Sequence, residues 1–507
     1  MSAVEDRLGD RGRARQAAVL VIGKMFAVVS EAAVPLLIVR LLGKVEVGLL
    51  FAVLLIYSTI ALVVTAGFPA TLMYYMPTRA PGERRAVAER VAVTMLGMGA
   101  VAALVLLLVA GVARWAPGLA QSAGAQGGGL GLLALLAAYP LGDVPARMLP
   151  NLLVVEERAR AAAAFGAFRA IGTACAVLIP LSLGAELDAV VVSLSAFGLV
   201  QGAVVIFCLR VLYPKTPRQP TDLGIRDLFK FAIPIGMTDI VGKLSSTLDR
   251  YLILAVFPMA AFAEYQAGAW QIPIVTAIPF AVGTVFTPHF TRLINAGQGR
   301  AAVDTWRRSI EKVSLIVIPC TAIFVVGAEE AMELLFTAEY AGAAGVFRCY
   351  SLLTLGRVAA FGAMIVAAGR PGFVLKAALL SLAANVVISV PALLLFGFEG
   401  PAIGTALAFI PTAAFYCWGI GRATGVPIAE VFPLVGYGKV LLTAAAACTG
   451  AVAFKIQFSW SPGAMLATEA AIVLVVFCLL GSITGLIRRS DWRFFSNWIG
   501  GRAASAR

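Results

Sequence analysis

The chain has 507 residues, of which 60% are hydrophobic and 13% charged, whereas soluble domains run nearer ~45–50% apolar and ~25% charged. Several soluble domains are thereby excluded, and the length goes into a bundle of membrane spans. A net charge of +13 would point to nucleic acid in a soluble protein, but no RNA- or DNA-binding motif accompanies it and the basic residues gather in alternate loops, so no nucleic-acid partner is expected.

Apolar segments of membrane length run, in chain order, over 17–42, 46–75, 88–111, 129–153, 162–183, 188–212, 229–256, 260–291, 310–328, 345–368, 374–397, 400–420, 434–454 and 465–487. They predict an all-α polytopic membrane protein of about fourteen helices. The longest segments need tilt or a projecting end, because ~20 residues suffice to cross.

Lysine and arginine in the short loops set the orientation. With the N-terminus inside, the cytoplasmic side receives Arg7, Arg11, Arg13 and Arg15, then Arg79, Arg84, Arg85 and Arg90, and later Lys215, Arg226, Arg300 and Arg488 with their neighbours. The opposite side keeps Lys44, Arg114 and Lys455 and an acidic loop with Glu329, Glu330, Glu333 and Glu339. Both termini are therefore expected in the cytoplasm. The charged N-terminal arm and the long first segment, with no small-residue cleavage site, predict a retained first helix. The tail from Asp491 to Trp498 mixes aromatic and basic residues, as an interfacial anchor does.

A polar connection, Tyr213 to Asp222, follows the sixth span and divides twelve helices into six and six. Each half opens with a long charged helix and continues into one bearing aromatics: Gly48–Phe51 through Tyr74–Pro77 in the first, Ala263–Gln266 through Phe286–His289 in the second. An even number of spans separates the copies, so a pseudo-two-fold axis along the membrane normal is expected. The expected organisation is an N-terminal lobe at 1–214, a C-terminal lobe at 215–428, and two extra helices with a tail at 429–507.

Most soluble chemistry has no residues to work with. The single histidine, His289, excludes histidine-based metal centres and acid/base schemes; it follows Pro288 near a helix end, where a capping or interface role is expected before proton coupling. The seven cysteines lie in apolar segments without CxxC spacing and read as small buried hydrophobes. There is no GxxxxGK[ST] loop, the nearest context being Gly236 to Lys243, and no GxSxG elbow or DxD pair. No enzymatic activity, metal or cofactor is expected. The GxxxG pairs Gly400 with Gly404 and Gly481 with Gly485 read as helix packing contacts.

The unusual feature is charge at bilayer depth, where each ionisable group costs ~2.5–3.5 kcal/mol on insertion scales unless it faces water or a partner. Lys24 and Glu31 lie seven apart on one face of the first span. Asp239, Lys243 and Arg250 form a stripe on the seventh with Asp249 to its side. Asp143 and Arg147 sit at i,i+4 on the fourth, a spacing suited to self-pairing; Arg169 and Arg357 lie near mid-depth on the fifth and tenth, and Arg348 nearer the outer end. Internal salt bridges are one reading. Cations outnumber anions, however, which favours a wet, positively biased cavity for an anionic ligand. In that reading Lys24, Lys243 and Arg250 are the binding cations, with Arg169 and Arg357 beside them, and Glu31, Asp239 and Asp249 are cavity or coupling carboxylates.

The chain resembles the Wzx-type oligosaccharide flippases, in the multidrug/oligosaccharidyl-lipid/polysaccharide exporter superfamily. The resemblance rests on Arg40 to Gly48, on Leu248-Asp249-Arg250-Tyr251, on Ala367-Ala368-Gly369-Arg370, and on Asn385 followed by Phe396 to Thr405, and it spans most of 17–421. It implies a two-lobed transporter of the bacterial inner membrane that moves an undecaprenyl-pyrophosphate-linked oligosaccharide to the outer leaflet by alternating access. Surface polysaccharide biosynthesis (O-antigen of lipopolysaccharide, capsule or exopolysaccharide) is the implied pathway. A cavity lined by the first, second, seventh and eighth helices is implied too, with membrane lipid and the pathway's polymerase or glycosyltransferases as partners. A lipid II flippase shares the anion logic. A multidrug or cation antiporter calls for acidic groups and aromatic faces, and a membrane glycosyltransferase or polymerase for a large catalytic loop.

Overall fold

A computed structural model describes residues 32–115, 129–214, 216–217 and 219–487, and every regular element among them is a helix. Among the described residues, ten helical segments are long and apolar enough to cross a bilayer. Helix 32–41 and the helices at 225–256 and 273–295 are not among the ten, and one of the ten, Gly372–Thr424, contains two helices joined by a three-residue turn. The described residues divide into two compact units between Gln266 and Ala267.

The first unit contains α1 (Ala32–Leu41), α2 (Lys44–Thr65), α3 (Ala70–Tyr75), α4 (Pro81–Trp115), α5 (Gly129–Leu135), α6 (Tyr139–Ala146), α7 (Leu149–Val155), α8 (Ala159–Ser182), α9 (Leu187–Leu212) and α10 (Ile225–Val256). A further helix, α11 (Met259–Gly268), runs up to the division. The expected span at 129–153 is one of the ten apolar segments, Gly129–Val155, and is built of three short α-helices in succession. Pro140 and Pro150 sit in first turns and Pro145 lies inside α6; each proline removes an amide donor, and the α-helices part at 136–138 and 147–148.

The α10 helix packs along α2. Phe68 and Phe229 place ring centroids 5.1 Å apart, and Tyr74 stacks on Phe231 at 4.3 Å. Just before Phe68, α2 ends in a left-handed turn at Ala66 and Gly67, with φ of 38° and 72°. Gly236 of α10 meets the Ala66 backbone so closely that any β-carbon there would overlap it. Towards the other end of α2, Lys44 pairs with Glu264 of α11.

The polar connection after α9 is bound to the head of α4. Arg79 donates to Asp222 at 2.6 Å and to the Thr221 hydroxyl at 3.0 Å, and Arg85 donates to the Thr216 carbonyl at 2.6 Å. The Arg79 hydrogen bond and charge hold the Asp222 carboxyl below its ordinary range. Tyr213 donates to Glu156 at 2.9 Å, and burial together with that carboxylate raises its phenol.

The second unit holds α12 (Pro273–Asn295), α13 (Gly299–Val326), α14 (Ala328–Leu335), α15 (Ala344–Arg357), α16 (Phe361–Ala367), α17 (Pro371–Phe396), α18 (Gly400–Thr424), α19 (Ile428–Val431), α20 (Leu434–Gln457) and α21 (Pro462–Ile483). The expected span at 260–291 is interrupted: residues 269–272 are not helical, and Pro273 starts α12. α17 and α18 pack as a hairpin through Gly397, whose φ of 58° favours a residue without a β-carbon. The pair α20 and α21 docks on α13 through Val440, Ala444, Ala447, Ala451, Val473 and Phe477. The alanine stripe lets α20 approach closely, as small residues do where lipid supplies no hydrophobic drive.

Candidate functional site

The stripe expected on the seventh span lies on α10. Its first turn is fixed by the Asp227 carboxylate, which accepts the Gly224 amide at 2.9 Å, and its 32 residues exceed the ~20 needed to cross. Asp239, Lys243 and Arg250 fall within ~40° of one another around the axis. Asp239 is exposed, and Lys243 and Arg250 are half-buried. Asp249 is turned the other way: it is fully buried and accepts the Tyr265 hydroxyl at 2.8 Å. Beside it, Tyr251 shares a 2.5 Å hydrogen bond with Thr59 of α2. One side of this turn thus anchors α10 within its unit while the other carries the cations. Lys24 and Glu31 lie outside the described residues.

The fourth and fifth spans converge on Asp143, which is 1% exposed. Its Oδ2 accepts Arg147 Nη2 at 2.9 Å and the Tyr57 hydroxyl; its Oδ1 accepts Arg169 Nη2 at 2.6 Å. Arg169 Nε reaches Gln201 Oε1 at 3.0 Å. The Arg147 guanidinium also stands over the Tyr57 ring, 5.9 Å from its centroid. The Asp143–Arg147 pair read from its spacing is present, and it is part of a larger network reaching α2, α8 and α9. Two guanidinium groups share one carboxylate, so this group keeps a positive charge.

In the second unit Arg357, in the last turn of α15, donates to Gln271 Oε1 at 3.1 Å. Arg348, two turns earlier, pairs with Glu329 at 3.0 Å and donates to the Val325 carbonyl at 3.2 Å. The Arg348 hydrogen bond holds the Glu329 carboxyl low, with Lys455 adding to the effect. His289 is half-buried in α12 after Pro288. Among the described residues no three histidine, cysteine or acidic side chains gather as a metal site.

Spacing along one helix found the α10 stripe, but Tyr57, Gln201, Tyr265 and Gln271 were not legible as partners because they come from other spans. Glu469 was also missed, although a lone carboxylate in the last apolar run is itself a signal. In chemical terms the α10 stripe offers cationic groups on one face of a membrane-length helix, and the Asp143 network is a second group, in which two guanidinium groups meet one carboxylate.

The family described as Polysaccharide biosynthesis protein matches residues 163–345. Over 200 residues the chain is 24% identical to a Haloferax volcanii protein described as the probable low-salt glycan biosynthesis flippase Agl15; the match spans 38% of this chain and 41% of that protein. Among solved structures, the lipid II flippase MurJ in an inward closed conformation is similar with a TM-score of 0.69 at 12% identity, over 92% of this chain and 98% of that one. A MOP-superfamily transporter of Pyrococcus furiosus, described as having a binding pocket of reverse polarity, gives 0.55 at 15% identity over 82% and 96%. A Vibrio cholerae MATE transporter gives 0.55 at 15% over 82% and 98%. At such identities the structural likeness establishes the fold. The resemblance to this superfamily and its polysaccharide branch, read from the residues, is borne out.

Proposed function

We propose that this chain, a multi-pass membrane protein with the MOP-superfamily fold, is a flippase that carries an undecaprenyl-pyrophosphate-linked oligosaccharide from the inner to the outer leaflet of the bacterial inner membrane. The observation that carries the reading is the α10 stripe, where Lys243 and Arg250 stand half-buried on one face of a membrane-length helix. A pyrophosphate bearing sugars cannot cross hydrocarbon unaided, because its charge and hydroxyls lose their water. Cations held at depth replace part of that hydration, while the prenyl chain stays in lipid.

In this reading Lys24, Lys243 and Arg250 grip the pyrophosphate. Arg169 and Arg357 add positive potential, the first through the charge that Asp143 leaves uncompensated, and Glu31 and Asp239 are the carboxylates that return the site to balance between cycles, whereas Asp249 holds α10 to Tyr265. The lobes at 1–214 and 215–428, related by rotation about the membrane normal, alternate access to the cation stripe, and the helices at 429–507 stand outside the repeat. Both termini are cytoplasmic. The cargo enters a surface-polysaccharide pathway whose polymerase or glycosyltransferases are the natural partners.

Depletion of the protein in its own cell, followed by mass spectrometry of the lipid extract, tests the reading. A prenyl-pyrophosphate oligosaccharide is expected to accumulate. Accumulation of lipid II would assign the related cargo that shares its headgroup chemistry, and an unchanged prenyl-pyrophosphate pool would overturn the proposal.

A further inference from the structure

A second charged cluster lies at the end of the second unit that the sequence assigns to the outer side, where the last two helices meet α14. Lys455, near the end of α20, places its ammonium 2.7 Å from Glu330, 3.3 Å from Glu329 and 4.0 Å from Glu469 of α21. Glu329 is half exposed and also paired with Arg348 at 3.0 Å, and Glu330 is 12% exposed. Three carboxylates therefore face two cations.

Glu469 is the odd member. It is fully buried, and neither of its carboxyl oxygens has a hydrogen-bond partner among the described residues. Its Oε2 lies against Gly327, where a β-carbon would come within 2.5 Å of it, so the side chain fits because residue 327 is glycine. The first turn of α14 begins there, yet Glu469 accepts none of its amides. Among the described residues the charged groups facing it are Glu329 and Glu330 on α14, and Lys455 on α20. A carboxylate in this place would be buried and without a donor, with two other carboxylates competing for its single lysine.

A metal cation does not suit the site, because Lys455 already occupies the centre of the acidic groups. A proton does. It removes the charge of Glu469 and needs only a path to water, which the half-exposed Glu329 and the Lys455 side chain supply.

We propose that Glu329, Glu330, Lys455 and Glu469 form a proton-binding site in which the Glu469 carboxyl carries the proton. Lys455 serves Glu330 while Glu469 is protonated. When Lys455 moves onto Glu469, the carboxyl O–H bond breaks, the electron pair stays on the carboxylate and the proton passes to water beside Glu329. Uptake reverses each step. Because α21 packs on both α13 and α14, the protonation state of Glu469 governs how firmly the last two helices dock.

The test needs no cargo, so it stands or falls separately from the flippase reading. Infrared difference spectra of the purified protein in lipid nanodiscs, taken across a pH series, read protonated carboxyl groups directly. The wild type should show a carboxylic-acid band that disappears as pH rises and is missing in Glu469→Gln. In Lys455→Gln the loss should move to higher pH by about 1–3 units, since an adjacent opposite charge shifts a carboxyl by that much. If the Glu469→Gln protein does not accumulate, Glu330→Gln carries the test: it frees Lys455 for Glu469 and should move the loss to lower pH. A Glu469→Gln spectrum identical to wild type, or a band that none of the neighbouring changes moves, overturns the proposal.

Discussion

Arg169 and Asp143 stand 26 residues apart in the chain and meet through a hydrogen bond of 2.6 Å from Nη2 to Oδ1. Because the Asp143 carboxylate also accepts Arg147 and Tyr57, it is the hub on which α2, α6 and α8 agree. Asp143→Asn should cost about 3–5 kcal/mol, the range for removing one partner of a buried pair. Thermal unfolding of the detergent-solubilised protein checks this, and an unchanged midpoint would refute it. Tyr57→Phe keeps both ion pairs and should lose less, about 1.5–3 kcal/mol, the worth of one hydrogen bond to a charged group.

The α10 cations separate binding from structure. Lys243→Gln and Arg250→Gln should leave membrane abundance intact while abolishing export, because each removes a charge-assisted contact worth about 1.5–3 kcal/mol. Lys24→Gln should behave alike. Lysine at 250 should be milder than glutamine unless a guanidinium fork grips the phosphate. If these groups are internal pairs instead, a matching neutral change at Glu31, Asp239 or Asp249 should restore both export and abundance. A double-mutant cycle on the two quantities decides, and rescue of both would falsify the binding role.

Topology has its own test. A cysteine replacing Arg84 should react only from the cytoplasmic side and one replacing Glu333 only from the outside, as the lysine and arginine distribution requires. Labelling of both from one side, in a cysteine-free background, would reverse the assignment.

Acid should release the connection between α9 and α10. The Asp222 carboxyl is held below its ordinary value by Arg79, so its contribution to docking is fully present above the unfolded-state pKa and is lost as pH falls through the lowered one. The protection of the amides in 219–223, measured against the exchange of an unstructured chain at the same pH, should be high at neutral pH and fall in strong acid. Asp222→Asn should show the reduced protection already at neutral pH, and equal protection in the two proteins would count against it.

How far the sequence carries the structure differs by element. Apolar length located the helices because bilayer thickness sets it directly, and the 3.6-residue period placed Asp239, Lys243 and Arg250 on one face of α10. Length could not show that 129–153 folds as α5, α6 and α7: Pro140, Pro145 and Pro150 are visible, but proline also occurs in unbroken spans, as Pro234 does in α10. Nor could spacing show that Asp249 turns away from the stripe, because its partner Tyr265 lies on the next helix. Asp143 illustrates both: Arg147 is legible four residues on, while Tyr57 and Arg169 become its neighbours only once separate spans pack.

The turn between α17 and α18 bears on how the protein is made. Residues 397–399 are all that separates Phe396 from Gly400, too short for one helix to leave the insertion machinery and wait in lipid for the other. The two helices should therefore enter the bilayer together, as a closed hairpin whose facing surfaces are already joined. Lengthening this turn with a flexible insert should uncouple the two insertions and expose α17 to quality-control proteolysis before any other part of the chain is affected.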